Sequence, residues 1–282
     1  MKTRDLFPFR MVLALMALGM ILADGSAFAQ TAAPAIAATA ITKVPYTITK
    51  PGLYLVKKDL VFAPAIGAGN AITIGADDVT LDLGGHVIST SAAQNATNIT
   101  VGIGLASAPS IHTTIRNGVL RNFNHGIRLE IIGDSSRVLI EDMFISNSGI
   151  GGILAQAASI EIRRCKIVDT GYNQALTDTF GISAFGLGLT RIVDNEIATT
   201  VSSTGTTGIS TSSGIVERNR LRGNTGGVGI SCDGDSFALD NVITRFATGI
   251  KSLSVAVKYR GNTTLSCTTP FDGGTAVGTE NN

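Results

Sequence analysis

Residues 208–262 read GISTSSGIVERNRLRGNTGGVGISCDGDSFALDNVITRFATGIKSLSVAVKYRGN, and two marks recur within them. The first is a Gly followed by an apolar residue, and the second, 11–16 residues later, is most often Asn. Along the chain the first mark occurs at Gly102-Ile103, Gly126-Ile127, Gly152-Ile153, Gly181-Ile182, Gly208-Ile209, Gly229-Ile230 and Gly249-Ile250. The second mark occurs at Asn117, Asp142, Cys165, Asn195, Asn219, Asn241 and Asn262. Two marks that keep step at a period of roughly 20–30 residues indicate a solenoid.

Short runs with β-branched residues, such as Val138-Leu139-Ile140, lie around these marks. One such run cannot bury its own apolar face, but stacked coils bury it in a shared core. An Asn at a fixed turn position adopts a left-handed backbone at little cost, and its amide can bond the Asn of the next coil. The pattern therefore predicts stacked β-coils with an internal Asn ladder.

The sequence that precedes the repeats contains several short apolar segments. It contains Ile48–Val56, Asp59-Leu60, Ala71–Ile74 and Val79–Ile88. With the repeats it resembles the pectate-lyase-like right-handed β-helix superfamily, over residues 45–270, and the opening is similar to that of many exported bacterial β-helix proteins. The resemblance implies an all-β, single-domain right-handed parallel β-helix. That superfamily includes lyases, hydrolases, epimerases and phage spikes, so the resemblance implies a fold and not a reaction.

The N-terminus predicts an export signal. Residues 1–10 carry three basic side chains, an apolar run covers residues 11–23, and Ala27-Phe28-Ala29 provides the small residues of a signal-peptidase site. A run of this length is typical of a signal peptide and short for a membrane span. We expect residues 1–29 to be cleaved off, with an uncleaved anchor as the alternative. The mature protein is then exported, to the periplasm or the extracellular space, without membrane insertion.

The remaining boundaries follow from composition. Residues 30–44 are rich in Ala, Thr and Pro, which predicts a flexible lead. Residues 45–100 are expected to form the N-terminal cap and first coils of a β-helix that covers residues 45–270. Residues 271–282 are expected to form a C-terminal tail.

The mature chain is close to electrically neutral. Removal of residues 1–29 changes 22 basic and 21 acidic residues to 19 of each. A neutral protein exerts no general attraction on nucleic acid or on anionic membranes. Nucleic acid is therefore not an expected partner, and the oligomeric state is left open.

Three cysteines leave at least one thiol unpaired. Cys165 falls on an inward turn position of the repeat, where a small buried hydrophobe is expected. Cys232 and Cys267 form the only pair we consider. They lie nearly two coils apart, about 9.6 Å at the spacing of strands in a sheet, which exceeds the usual Cα distance of a disulfide.

The residue before each turn mark alternates in charge along the chain. In a stacked coil such residues lie above one another, where opposite charges attract. We expect this row to stabilise the stacking register, which makes its carboxylates weaker candidates for catalysis. Its members are Arg116, Glu141, Arg164, Asp194, Arg218 and Asp240.

Two outer rows follow the Gly–apolar pairs. The first outer row is Arg128, Leu154, Ser183, Ser210, Ser231 and Lys251. The second outer row is Glu130, Gln156, Phe185, Ser212, Asp233 and Leu253. Sugar rings pack on aromatic faces while polar side chains bond their hydroxyls. The rows therefore predict a polysaccharide surface, and an ordinary solvated sheet face is the alternative.

The longest interval between marks adds further candidates, because long loops on rigid scaffolds often carry function. Tyr172, Asp178 and Phe180 lie in it, and a passive loop is the alternative. The predicted substrate-binding residues are Arg128, Glu130, Tyr172, Asp178, Phe185 and Asp233.

No catalytic set and no metal site are predicted. His86, His112 and His125 lack the paired spacing of metal ligands. Asp233-Gly234-Asp235 leaves calcium open as the one cofactor, although two carboxylates across a Gly are also a common turn.

The resemblance implies that catalysis would need clustered carboxylates with an Arg or Lys base, or a calcium cage of acidic residues. The Tyr-Gly-Phe-Asp-Pro-His pattern of alginate epimerases is absent, and neighbouring Asp residues occur only at Asp77-Asp78. Arg128 near Glu130 is the candidate for proton abstraction. Two hypotheses result: an exported polysaccharide-binding or structural β-helix without catalysis, or a polysaccharide lyase or related enzyme acting on an acidic polysaccharide.

Overall fold

A computed structural model describes residues 37–65, 68–93, 99–106, 112–130, 135–171, 178–186, 188–199, 205–278 and 281. The predicted signal peptide lies outside them. The described residues form β-strands and no helix. In chain order the strands are β1 (Thr39–Ile41), β2 (Tyr46–Ile48), β3 (Gly52–Val56), β4 (Leu60–Phe62), β5 (Gly69–Ile74), β6 (Val79–Asp82), β7 (Val87–Thr90), β8 (Thr100–Leu105), β9 (His112–Arg121), β10 (His125–Glu130), β11 (Arg137–Ser148), β12 (Gly151–Ala157), β13 (Ser159–Arg163), β14 (Lys166–Thr170), β15 (Thr179–Gly186), β16 (Thr190–Val193), β17 (Glu196–Ala198), β18 (Thr206–Thr211), β19 (Gly214–Glu217), β20 (Arg220–Arg222), β21 (Val228–Cys232), β22 (Ser236–Leu239), β23 (Val242–Thr244), β24 (Thr248–Ser252), β25 (Lys258–Arg260), β26 (Thr263–Leu265), β27 (Thr269–Asp272) and β28 (Thr275–Ala276).

These strands stack in three faces, and the strands within each face are parallel. Face 1 is a sheet of ten strands, β2, β5, β8, β10, β12, β15, β18, β21, β24 and β27. Face 2 contains β1, β3, β6, β13, β16, β19, β22, β25 and β28, and face 3 contains β4, β7, β14, β17, β20, β23 and β26. The long strands β9 and β11 cross from face 2 to face 3 and join the two into one sheet. The predicted all-β parallel β-helix is confirmed.

The Ile of each Gly–Ile mark builds the core under face 1. Ile127 pairs in register with Ile103 on one side and Ile153 on the other. A coil spans 20 residues between Ile230 and Ile250. The Ile residues in this column are at most 1% exposed. Full burial of such a side chain stabilises the fold by about 1.5–3 kcal/mol, so the column explains why coils of different length stack.

The turn between faces 2 and 3 contains two adjacent positions with different roles. The second sequence mark falls on the first of these positions in some coils and on the second in others. The left-handed position is occupied by Asn117, Asp142, Arg164, Asp194, Arg218 and Asp240, with φ between 51° and 58°. The next position points inward, and Met143 and Cys165 occupy it in adjacent coils. The prediction that the Asn of each mark is left-handed is therefore wrong from Asn195 onward. Asn is favourable at both positions, for its backbone freedom at one and its amide at the other.

The predicted Asn ladder runs along the inward position. Its members Asn195, Asn219, Asn241 and Asn262 are at most 2% exposed. The Nδ2 of Asn195 donates to the Oδ1 of Asn219 at 3.0 Å, and Asn219 repeats this bond to Asn241. Because every buried amide in the series finds partners in neighbouring coils, the ladder locks one stacking register.

The alternating charges are real, but they occupy two columns instead of one. Arg164 pairs with Asp142 and Arg218 pairs with Asp194, each at 2.8 Å, in the left-handed column. The column before it pairs Arg116 with Asp82 and Arg163 with Glu141. Hydrogen bonds from Arg163 and Arg164 hold the pKa of Glu141 below its ordinary value. Structural ion pairs thus account for these carboxylates.

Strand pairing extends beyond the expected boundaries at both ends. β1 lies within the predicted flexible lead and pairs with β3, burying Ile41 completely. β27 and β28 lie largely within the predicted tail and pair with β24 and β25. Phe271 stacks on Tyr259 with ring centroids 4.8 Å apart. Most residues of β1, β27 and β28 are exposed, so these strands lack the apolar alternation by which sequence patterns reveal strands.

All three cysteines are free thiols. Cys165 is buried at the inward turn position, as predicted, and its backbone N–H donates to the Oδ1 of Asn195 at 2.9 Å. Burial raises the pKa of the Cys165 and Cys232 thiols to about 12. Because the thiolate is the reactive form, these two groups act as core side chains.

Candidate functional site

The two outer rows lie on face 1. Strand register connects Arg128 to Leu154, Leu154 to Ser183, and the row continues through Ser210 and Ser231 to Lys251. The first outer row is therefore confirmed as a column across six strands, although Ser183 is only 5% exposed. In the second outer row, register connects Glu130 to Gln156 and Gln156 to Phe185.

Arg128 and Glu130 form an ion pair on β10. The Nε of Arg128 donates to Oε2 of Glu130 at 2.7 Å, and Nη2 lies 2.7 Å from the same oxygen. A guanidinium carries five N–H donors in a planar fork. The pair therefore fixes the guanidinium and leaves donors for a ligand.

This pair borders a cleft of about 360 Å³ on face 1. Gly104 lies opposite Arg128 on the neighbouring strand. A Cβ at Gly104 would lie 2.6 Å from the Nδ2 of Asn70, so the Asn70 amide occupies the space that a side chain would fill. The residues that line the cleft are Asn70, Ile99, Val101, Gly104, Leu105, Ala106, Arg128 and Glu130.

Asn70 was missed by the sequence analysis. It lies on β5, before the first regular Gly–Ile mark, and reaches the cleft from a neighbouring coil. Its Nδ2 donates to the hydroxyl of Thr73 at 3.3 Å. The signal that could have revealed it is Gly104, which stands where other coils of the first outer row carry a side chain.

Phe185 gives face 1 an aromatic surface. It is 38% exposed on β15. Two strand spacings separate it from Glu130, about 9.6 Å along the stack. Arg128, Glu130 and Phe185 therefore share one face at a distance that suits an extended ligand.

The other predicted site residues do not converge on this cleft. Asp178 is exposed just before β15, and Tyr172 lies outside the described residues. Asp233 follows β21, and its carboxylate accepts a hydrogen bond from the N–H of Gly234 at 2.7 Å. Asp233 thus takes part in a turn several coils from Arg128.

The histidines serve the structure. His86 hydrogen-bonds Asp59 at 3.2 Å, and His112 contacts Asp78 at 3.2 Å and the carbonyl of Ser135 at 3.0 Å. Within the ranges that the structure describes, no group of three or more His, Cys, Asp or Glu side chains is arranged to hold a metal. Over the same ranges, no helical segment has the length and apolar character that crossing a membrane requires.

His125 lies at the start of β10, the strand of Arg128 and Glu130, and is 6% exposed. Among the described residues its Nδ1 has no hydrogen-bond partner, and its ring lies 6.0 Å from that of Phe180. Burial, with a smaller effect from Arg128, lowers the pKa of His125 to about 4. The imidazole is therefore neutral at physiological pH.

This buried imidazole predicts a specific loss of stability in weak acid. The unfolded chain binds a proton near pH 6.5 while the folded protein does not until about pH 4. The stabilisation is complete above pH 6.5 and is lost as the pH falls toward 4, by at most about 3 kcal/mol. In thermal unfolding followed from pH 7 to pH 4.5, His125→Leu should flatten this dependence.

His86, which is only half-buried, provides the control for that measurement, since His86→Gln should keep the slope of the parent protein. An unchanged slope in His125→Leu would contradict a buried neutral His125.

The fold and face 1 together define the structural class: an all-β parallel β-helix with a polar cleft on its ten-stranded face.

No protein-family model matches the chain, and no curated protein matches it. Two solved structures are similar to it. Full-length tailspike protein 2 of an Escherichia coli bacteriophage is 15% identical, with a TM-score of 0.45, covering 80% of this chain and 38% of that chain.

The second is the enzymatically active domain of a bacteriophage tailspike protein 2, also 15% identical. Its TM-score is 0.41, and the match covers 79% of this chain and 43% of that chain. This chain therefore spans less than half the length of either.

Proposed function

We propose that this protein binds a polysaccharide along face 1 and does so without cleaving it. The observation that carries the proposal is the cleft of Asn70, Arg128 and Glu130, which lies on the same face as the exposed ring of Phe185. A rigid sheet face that combines fixed polar groups with an aromatic ring suits a sugar chain.

The groups in the cleft can each take part in recognition. Arg128 donates N–H groups to ligand hydroxyls or carboxylates, Glu130 accepts from hydroxyls, and the Asn70 amide does both. Because the ion pair orients Arg128 and Glu130 before a ligand arrives, little side-chain entropy is lost on binding.

Binding is favoured over turnover by the state of the candidate base. An Arg128 guanidinium held at 2.7 Å by Glu130 is a hydrogen-bond donor and not a proton acceptor. The neutral His125 is buried and is not among the residues that line the cleft. The enzyme hypothesis, a lyase acting on an acidic polysaccharide by proton abstraction, remains the competing proposal.

The proposal includes export, with cleavage after Ala29 and a mature protein in the periplasm or outside the cell. Such a location would give face 1 access to extracellular or cell-wall glycans. A membership in the pectate-lyase-like superfamily is part of the same proposal, supported by the parallel β-helix and by the opening residues 45–100.

The test is a screen of the purified protein against neutral and acidic polysaccharides, with and without calcium. It reads binding by calorimetry and turnover by the ultraviolet absorbance of unsaturated chain ends. Binding without turnover is the expected result. Absorbance that grows with calcium would establish the lyase instead, and the absence of binding to every glycan would overturn the proposal.

Phe185 is expected to contribute to affinity. Phe185→Ala should weaken polysaccharide binding by about 1–2 kcal/mol, or roughly 5- to 30-fold in Kd, because the sugar loses its aromatic contact. The control is Phe237→Ala on face 2, where the ring is similarly exposed at 40%. Equal losses in the two variants would place the ligand elsewhere.

A further inference from the structure

Three arginines lie close together on face 3, and none of them has a carboxylate partner among the described residues. Arg220 and Arg222 are two residues apart on β20, and Arg245 follows β23 in the next coil. All three are exposed. Within the part of the chain that the structure describes, none of them has an Asp or Glu oxygen within 4.0 Å, whereas Arg116, Arg163, Arg164 and Arg218 each do.

The neighbouring charges leave this group positive. Glu196 is paired in register with Arg220, but its carboxylate lies 2.9 Å from the Nζ of Lys166 in the coil on the opposite side. Arg222 lies between Ala198 and Thr244 on the adjacent strands. Since these neighbours are short and uncharged, the Arg222 guanidinium is neither neutralised nor covered.

Two clefts meet at Arg222. One, of about 300 Å³, includes Glu196, Arg220, Val242 and Thr244 in its lining, and the Glu196 carboxylate there is paired with Lys166. The other, of about 290 Å³, is lined by Ala198, Thr199, Arg222, Gly223, Asn224 and Arg245. They share Ala198 and Arg222 and form one groove across the strands.

Gly223 in the lining of the second cleft packs closely against the next coil. A Cβ at Gly223 would lie 2.6 Å from the carbonyl oxygen of Arg245 and 2.8 Å from the buried ring of Phe246. The backbone between Arg222 and Arg245 is therefore held close to the core. Thr199 in the same lining is 4% exposed, and its hydroxyl has no hydrogen-bond partner among the described residues.

We propose that this groove is a second glycan site, which binds the carboxylate or sulfate groups of an acidic polysaccharide. Guanidinium groups bind such oxyanions through paired N–H donors. Arg220 and Arg222 are about 6.6 Å apart along β20. Arg245 belongs to the next coil, which is one strand spacing of about 4.8 Å away across the sheet. A chain that carries repeated oxyanions can therefore contact more than one of them.

The surroundings of the groove favour a glycan over other polyanions. Single-stranded nucleic acid binds on aromatic platforms, and among the described residues no aromatic side chain lines either cleft. Membrane surfaces are bound by clusters of about 4–8 basic residues, and this group has three. The site lies on a different face from the cleft of Arg128, but the choice of a glycan rests on the proposed function.

The test titrates the purified protein with oligogalacturonate, dextran sulfate and neutral dextran, using calorimetry at low and moderate salt. The anionic chains should bind and neutral dextran should not bind at this site. Arg222→Gln with Arg245→Gln should weaken anionic binding at least about 10-fold, since two charge-assisted contacts are lost. Arg137→Gln, an exposed arginine at the start of β11 on face 2, is the matched control.

The variants separate this inference from the proposed function. An anionic site that persists in Phe185→Ala but is lost in the double variant, with an unchanged melting temperature, supports the second site. Acidic chains are also expected to bind face 1, so the double variant should keep that binding. The second site is overturned if the double variant binds anionic chains with the same number of sites and the same affinities as the parent protein. An equal loss in Arg137→Gln shows a general charge effect and overturns it too. Tighter binding of a single-stranded oligonucleotide or of anionic vesicles overturns the glycan as the ligand.

Discussion

Replacing Asn219 with Ala is expected to lower the free energy of unfolding by about 3–5 kcal/mol, since it leaves several buried polar groups without partners. The Oδ1 of Asn219 accepts from the N–H and the Nδ2 of Asn195, both at 3.0 Å. Its Nδ2 donates to the carbonyl of Ile192 at 2.8 Å and to the Oδ1 of Asn241 at 3.0 Å. No water can replace these bonds easily, because Asn219 is fully buried.

Thermal and denaturant unfolding measure this effect, and a fall in melting temperature of about 10 °C is expected for a chain of this size. Asn70→Ala is the control, because Asn70 is only half-buried and makes one hydrogen bond of 3.3 Å. It should cost less than about 1 kcal/mol. Similar losses in the two variants would show that the ladder does not stabilise the stack.

Gly181→Ala is expected to destabilise the protein by about 3 kcal/mol or more, because it forces neighbouring coils apart. A Cβ at Gly181 would lie 2.6 Å from the carbonyl oxygen of Gly208 and 2.7 Å from the Cγ2 of Ile197. One contact is backbone and the other is a fully packed core side chain, so neither can move without disturbing the stack.

The matched control is Gly75→Ala, where the nearest atoms to the added Cβ are 3.3 Å away. That variant should stay within about 1 kcal/mol of the parent protein. Denaturant midpoints of the two variants give the comparison. If Gly181→Ala proved as stable as Gly75→Ala, the close stacking of these coils would be incorrect.

The fold could be predicted from sequence because the inward positions repeat. Each Gly–Ile pair marks a close contact between coils and a core side chain, and these are the strongest constraints on a solenoid. The turn could not be assigned as well. Asn117 and Asp142 occupy the left-handed position while Asn195 and Asn219 occupy the inward one, and Asn suits both.

The sites depend on contacts between coils that no local pattern reveals. Arg128 and Glu130 were found because they alternate on one strand, whereas Asn70 reaches their cleft only because Gly104 leaves space for it. The basic groove on face 3 depends on Lys166, which holds Glu196. These relations require the register of strands that are more than 20 residues apart in sequence.

The central claim, that face 1 holds a polysaccharide at the cleft of Arg128 and Glu130, is tested most directly by hydrogen–deuterium exchange with a bound oligosaccharide. We predict slower exchange in β8 and β10, with no change in β22 on face 2. Acidic chains should also slow exchange in β20. Unchanged exchange in β8 and β10 at saturating ligand, or protection confined to other strands, would contradict the claim.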